Sequence, residues 1–319
     1  MQSPSSDVNQ RTNPGLGRIS LTTYGSGAVF TELSSTYPLK LLSPRITGHV
    51  ATVYMLTYGG GLVGGDHISL SVDVDATAIL VLLSQGSTKV FKTRLGQRRA
   101  VPTTRPTPAV TDNIASSNHA LTTMQNLTFS VAAEGALFML PQPVTCFRSA
   151  SYTQMQTFYL SRNASLVLLD WLTSGRVSMG EEWAFSRYYS ANEVWVEGRR
   201  IAKDVMLLDD LQVDTGAQLA PRTLRDRLSP YSCYAMVILC GPLVQGTIHH
   251  LGGQYDQISV FKTRAPAGLI WSLSHMPSGG GAIVRVAGKE TESVKKWLGQ
   301  ALVGLQETIG IDVYQQAFQ

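Results

Sequence analysis

The chain has 319 residues, of which 44% are hydrophobic and only 15% charged, with a formal net charge of +4; a soluble protein usually carries about a quarter charged residues. Basic residues form only short clusters (Arg98-Arg99, Arg199-Arg200, Arg222 to Arg227) without interleaved aromatics, which argues against nucleic-acid binding. No stretch reaches the ~18 apolar residues of a membrane span, the polar start from Met1 to Asn13 has no secretory core, and three cysteines in so long a chain make no disulfide framework, so a reducing, cytoplasmic compartment is expected.

In chain order, residues 1–17 read as a disordered tail, followed by a single domain over 18–319. Short apolar runs at 50–56, 78–83, 136–140, 165–169, 234–239 and 281–286 suit strands buried on both faces. Residues 68–74 and 127–131 instead alternate apolar with polar side chains, the period of a half-buried strand. Strands covered on both sides imply stacked sheets. Residues 96–120, with Pro102, Pro106 and Pro108 among Thr, Ser and Asn, are too poor in apolar side chains to offset the entropy of ordering and read as a disordered insertion. A short helix is expected over 221–228. Between Glu290 and Leu305, Val294, Trp297, Leu298, Ala301, Leu302 and Leu305 recur at helical spacing, with Glu290 and Glu292 in the first turn, where the helix dipole favours acids. The expected architecture is mainly β, with about two α-helices.

Gly59-Gly60-Gly61-Leu62-Val63-Gly64-Gly65-Asp66 contains G-x-G-x-x-G, but a dinucleotide site needs a helix next. The alternating strand 68–74 follows instead, so the segment reads as a glycine-rich turn using positive φ and close backbone approach. Ser87-Thr88-Lys89 lacks the order and spacing of a phosphate loop; it reads as a polar strand end or as the polar lining of an internal passage. Asp170 ends a buried strand, and Gly175-Arg176, Gly180 and Glu181 follow. The two carboxylates suit acid/base work or transient oxygen ligation of a cation; the plainer alternative is an Asp170–Arg176 ion pair that shapes a turn. His249 and His250 are adjacent, the other histidines are isolated, and Cys233 and Cys240 are seven apart, so local spacing builds no tight zinc or nickel cage. No nucleophile–base–orienter set is visible, and an enzyme is not expected.

Taken together, these segments resemble the UreD (UreH) family of urease accessory proteins. The blocks are Tyr37 to Leu41, Tyr58 to Asp66, Gln85 to Val90, Leu140 to Pro143 with Cys146-Phe147, and above all Leu169-Asp170-Trp171 through Ser174-Gly175-Arg176 to Gly180-Glu181 and Trp183. The resemblance implies a layered, helical stack of β-sheets. It implies nickel delivery to the urease apoprotein in a complex with UreF and the GTP-bound GTPase UreG, with this chain contacting urease. No cofactor is implied to bind tightly; nickel(II) passes in transit along a polar passage whose groups, by residue match, would be Ser87, Thr88, Lys89, Asp170 and Glu181. Gly59, Gly60, Gly61, Gly64, Gly65, Asp66, Gly175, Arg176 and Gly180 would shape the framework. The alternative is a scaffold that bridges UreF–UreG to urease without touching the metal.

Overall fold

The computed structural model describes residues 13–92, 122–209, 222–260, 268–277 and 280–318. The strands in chain order are β1 (Leu16–Tyr24), β2 (Gly27–Ser35), β3 (Leu39–Thr47), β4 (Val50–Thr57), β5 (His67–Val74), β6 (Ile79–Leu83), β7 (Thr88–Val90), β8 (Thr123–Val131) and β9 (Ala136–Met139). They continue with β10 (Val144–Cys146), β11 (Ser151–Leu160), β12 (Ser165–Thr173), β13 (Arg187–Val196), β14 (Arg199–Asp209), β15 (Cys233–Cys240), β16 (Leu269–His275) and β17 (Gly281–Gly288). The helices are α1 (Leu224–Leu228), α2 (Gln245–Ser259), α3 (Thr291–Ala301), α4 (Gln306–Ile309) and α5 (Ile311–Phe318).

Two sheets form the body. The first runs β14-β13-β11-β8-β5-β1-β2, and the second runs β16-β17-β15-β12-β9-β6-β4-β3 with β10 and β7 attached. From β4 to β13 most successive strands alternate between the sheets. β5, β8, β11 and β13 stack in parallel in the first, and β4, β6, β9 and β12 do so in the second. The chain therefore winds as a β coil, and antiparallel strands close the ends of both sheets. The fold is mainly β, a layered helical stack of sheets.

Burial follows from this layering. One face of the second sheet packs on the first sheet, around Leu80, Phe129, Phe158, Leu166 and Leu168. Its other face is covered by α2, α3 and α5, through Ile248, Leu251, Val294, Leu298 and Tyr314. Strands covered twice are apolar at nearly every position, as in β12 and β15, whereas β5 and β8 of the first sheet alternate because no helix among the described residues covers their outer face. Phe129 and Phe158 stack with centroids 4.7 Å apart. Each buries a ring that contributes about 1.5–3 kcal/mol.

The helical content differs from the expectation of about two: five helices lie among the described residues. The segment expected over 290–305 is α3 followed by a tight turn at Val303–Leu305, and α1 is capped by a Thr223–Asp226 capping box. The unexpected α2 contains Gly246, Gly252 and Gly253 and buries only Thr247, Ile248 and Leu251, too narrow a stripe to show a helical period. His249 and His250 are exposed on this helix. The tail boundary also moves: β1 begins at Leu16, and the Gly15 amide donates to the Tyr37 carbonyl at 2.7 Å. The expected insertion at 96–120 and residues 1–12 lie outside the described residues. No helix among those described is long and apolar enough to cross a membrane.

Candidate functional site

Side-chain parity places the site. Along β12, Val167, Leu169 and Trp171 face the helices, while Leu166, Leu168 and Leu172 face the first sheet. Asp170 occupies the vacant place in that second series, because successive side chains in a strand point to opposite faces. The facing strands interrupt their apolar series at the same height. β11 reads Tyr152, Gln154, Gln156, Phe158 on its buried face, β13 reads Tyr188, Ser190, Asn192, Val194, and β8 reads Thr123, Gln125, Leu127. Gln125, Gln154 and Ser190 share one register row, and Gln156, Asn192 and Asp204 share the next. A polar layer thus crosses between the sheets, with apolar packing on both sides.

Asp170 is its centre. Ser190 Oγ donates to Oδ2 at 2.6 Å, Asn192 Nδ2 donates to Oδ2 at 2.8 Å, and Gln154 Nε2 donates to Oδ1 at 3.2 Å. All three donors are neutral. Burial pushes the carboxyl up from its usual range; the three hydrogen bonds oppose this, and the Asp204 carboxylate adds to it. The Gln156 Oε1 and Asn192 Oδ1 atoms of the same layer are buried without a partner among the described residues. Around this carboxylate, acceptors therefore exceed donors. Buried acceptors in that condition normally hold water or a cation.

The layer reaches an opening at the other end of the row. Tyr152 Oη donates to Gln125 Oε1 at 2.5 Å, with Gln154 Oε1 2.9 Å away. Gln125 in turn lines a cavity of about 230 Å³ together with Met55, Gly60, Ser84, Ser87 and Thr88. The glycine turn and the Ser87–Thr88 block are two walls of one mouth. Leu62 bridges to Val90, its amide donating to the Lys89 carbonyl at 2.8 Å. This contact requires glycine at 61, since a Cβ there would stand 2.6 Å from the Lys89 carbonyl oxygen. Gly59, Gly60 and Gly65 take positive φ, and Asp66 Oδ2 accepts from the Val63 amide at 2.9 Å, closing the turn between β4 and β5. Lys89 itself is exposed.

Glu181 stands apart from Asp170. Arg176 grips it with two bonds, Nε to Oε2 at 2.9 Å and Nη2 to Oε1 at 2.7 Å. The Arg148 amide approaches Oε2 at 3.4 Å. These bonds, Arg176 foremost, hold the carboxyl below its usual value. Arg176 also lies over the Phe147 ring at 4.1 Å, and Gly175 at φ +121° would drive a Cβ to 2.5 Å from the Glu181 carbonyl oxygen. Gly180 closes the turn in the left-handed region. The arginine's partner is thus Glu181, not Asp170; the alternative of an Asp170–Arg176 pair fails because Asp170 is turned between the sheets. Gln125, Tyr152, Gln154, Gln156, Ser190 and Asn192 were not singled out from sequence, where each looks like one polar residue in a mixed strand.

The UreD urease accessory protein family model matches residues 15–315. The chain belongs to this family. It is 37% identical over 302 residues to "Urease accessory protein 4" of Cryptococcus neoformans var. grubii, covering 90% of this chain and 89% of that protein. It is 30% identical over 318 residues to "Urease accessory protein D" of Arabidopsis thaliana, covering 92% and 97%. A bacterial relative, "Urease accessory protein UreD" of Anaeromyxobacter sp., is 30% identical over 300 residues. Family membership gives this UreD chain a role in urease maturation, and the relatives are named as accessory proteins rather than enzymes. No group of three or more His, Cys, Asp or Glu side chains able to hold a metal ion occurs among the described residues.

Proposed function

We propose that this UreD chain delivers nickel to the urease apoprotein within a complex with UreF and the GTP-bound form of UreG, and that the ion crosses the chain along the polar layer at Asp170. One observation carries the reading: Asp170 is a carboxylate between two sheets whose hydrogen-bonding contacts are all neutral donors, beside buried acceptors without a partner. A cation entering at Ser87, Thr88 and Gln125 meets hydroxyl and amide oxygens first and a single carboxylate next. Such hard, sparse oxygen ligands hold Ni²⁺ weakly, whereas a thiolate and imidazole cage would retain it. Glu181, already occupied by Arg176, shapes the loop beside the layer in this reading.

The rival is a scaffold that bridges UreF–UreG to urease without touching the metal. The open face of the first sheet favours it, since Tyr159, Leu207 and Val205 are exposed there at 48%, 53% and 46%. Urease activation with nickel and GTP, measured for wild type and Asp170→Asn alongside co-purification with UreF and UreG, separates the two. Intact assembly with lost activation supports the passage. Full activation rejects it and leaves the scaffold.

A further inference from the structure

We propose that Gln142 is a positioning residue that couples the docking of helix α5 to the Ser84–Thr88 wall of the cavity beside Gln125. The coupling is a property of the fold by itself; its bearing on ion entry rests on the passage reading.

The Leu140 to Pro143 block carries part of the family resemblance, and the polar layer gives it no task. Across Pro141-Gln142-Pro143 one backbone donor remains, because the prolines have no N–H. That donor, the Gln142 amide, bonds Ser84 Oγ at 2.8 Å. Ser84 Oγ donates onward to the Gly86 carbonyl at 3.1 Å, and the Pro143 carbonyl accepts from the Thr88 amide at 3.0 Å. Ser84, Gly86 and Thr88 all line the cavity, so the block holds its wall at alternate residues. The Pro141 carbonyl accepts from Trp171 Nε1 at 2.7 Å, which fixes the block to β12.

The Gln142 side chain reaches the helix layer instead, Nε2 donating to the Ala317 carbonyl at 2.8 Å. Ala317 lies in the last turn of α5, where carbonyls have no partner within the helix, so this side chain caps α5. Other bonds to α5 come from Arg45, which pairs with Asp312 at 3.0 Å with both side chains more than half exposed, and from Tyr54 Oη, which donates to Gln316 Oε1 at 2.9 Å. The buried Tyr314 hydroxyl donates to the Gly299 carbonyl at the end of α3. An exposed ion pair holds a helix weakly, which leaves the Gln142 cap and Tyr314 as the chief polar anchors. One stiff tripeptide therefore joins a helix end to a cavity wall. Coupling through such contiguous bonds is reciprocal: loosening α5 loosens the wall, and fixing the wall fixes α5.

The test needs neither nickel nor a partner: amide hydrogen exchange of the full chain is read at 84–88 and, as a control, at 233–240 in β15. Gln142→Met keeps the length of the side chain and loses its donor. It should raise exchange at 84–88 at least about threefold, the scale of one neutral hydrogen bond, with 233–240 unchanged. Gln142→Lys, which restores a donor of sufficient reach, should return exchange toward the wild-type rate. Tyr314→Phe frees α5 from Gly299 and should raise exchange at 84–88 only while Gln142 is present. Wild-type exchange at 84–88 in Gln142→Met overturns the proposal. So does an equal rise at 233–240, which reports general loosening, or a Tyr314→Phe effect that persists in Gln142→Met, since the signal then bypasses Gln142. If the coupling holds and Gln142→Met still activates urease fully, the Ser84–Thr88 wall is not where the ion enters, and that part of the passage reading fails while the coupling stands.

Discussion

Asp170 and Glu181 lie eleven positions apart in the block most specific to the family, yet their surroundings are opposite. Asp170 is held by a serine, an asparagine and a glutamine, and burial raises its pKa. Glu181 is clamped by Arg176, which lowers its pKa. A carboxylate already matched by a guanidinium has little left to offer a cation. One held by neutral donors keeps its charge uncompensated, and that charge is costly to bury unless something uses it. In the proposed reading, one of these acids is a site and the other a brace.

The largest effect should separate them at once. Asp170→Asn should cut nickel- and GTP-dependent urease activation at least about tenfold, the factor given by about 1.4 kcal/mol of lost ion affinity. Its melting temperature should stay near that of wild type. A variant that activates normally would remove the distinction between the two carboxylates. Next, Gly175→Ala should destabilise the brace by about 1–3 kcal/mol, because the left-handed φ is strained for alanine and the new Cβ meets the Glu181 carbonyl oxygen. Urea unfolding measures this, and an unchanged midpoint would show that the loop around Glu181 relaxes freely. Glu181→Gln should lower the melting temperature by less than Gly175→Ala does and reduce activation by less than Asp170→Asn does. If it abolished activation while leaving the melting temperature intact, Glu181 would belong with the site after all.

The smallest effect is a pair of opposite pH dependences. Asp170 is raised from the usual 3.8, so in the interval above 3.8 the folded chain holds a proton that the unfolded chain has lost. Stability contributed by this group therefore falls as pH rises through that interval. Glu181 is lowered from 4.5; its contribution is present above 4.5 and lost as pH falls through its lowered value. Urea titrations from acid to neutral pH should show wild type losing ground to Asp170→Asn as pH rises, and gaining ground over Glu181→Gln. Equal slopes for the two would contradict the contrast.

Much of the fold was legible because burial writes itself into side-chain period. β12, β15 and β17 read as doubly buried strands, β5 and β8 as half-buried ones, and α3 as an amphipathic helix. Helix α2 escaped because three glycines and two exposed histidines blur its narrow apolar stripe. Of the site, Asp170 stood out as an acid ending an apolar run, although it lies inside β12, which continues to Thr173, and Ser87 and Thr88 as a polar strand end. Gln154, Gln156, Ser190 and Asn192 gave no signal. Their strands carry polar residues on both faces, and one sequence does not say which face is inside.

The layered β class, the family and the two candidate acids, Asp170 and Glu181, were readable in the chain alone. Those depend on local period and on motif order, both of which a single chain displays. Only the tertiary structure decided that Arg176 braces Glu181 and that Asp170 faces a row of amides and hydroxyls. It also decided that this row reaches the Ser87–Thr88 cavity. Those relations arise between strands far apart in sequence, where register sets which side chains meet, and register is fixed by the packing of the whole coil.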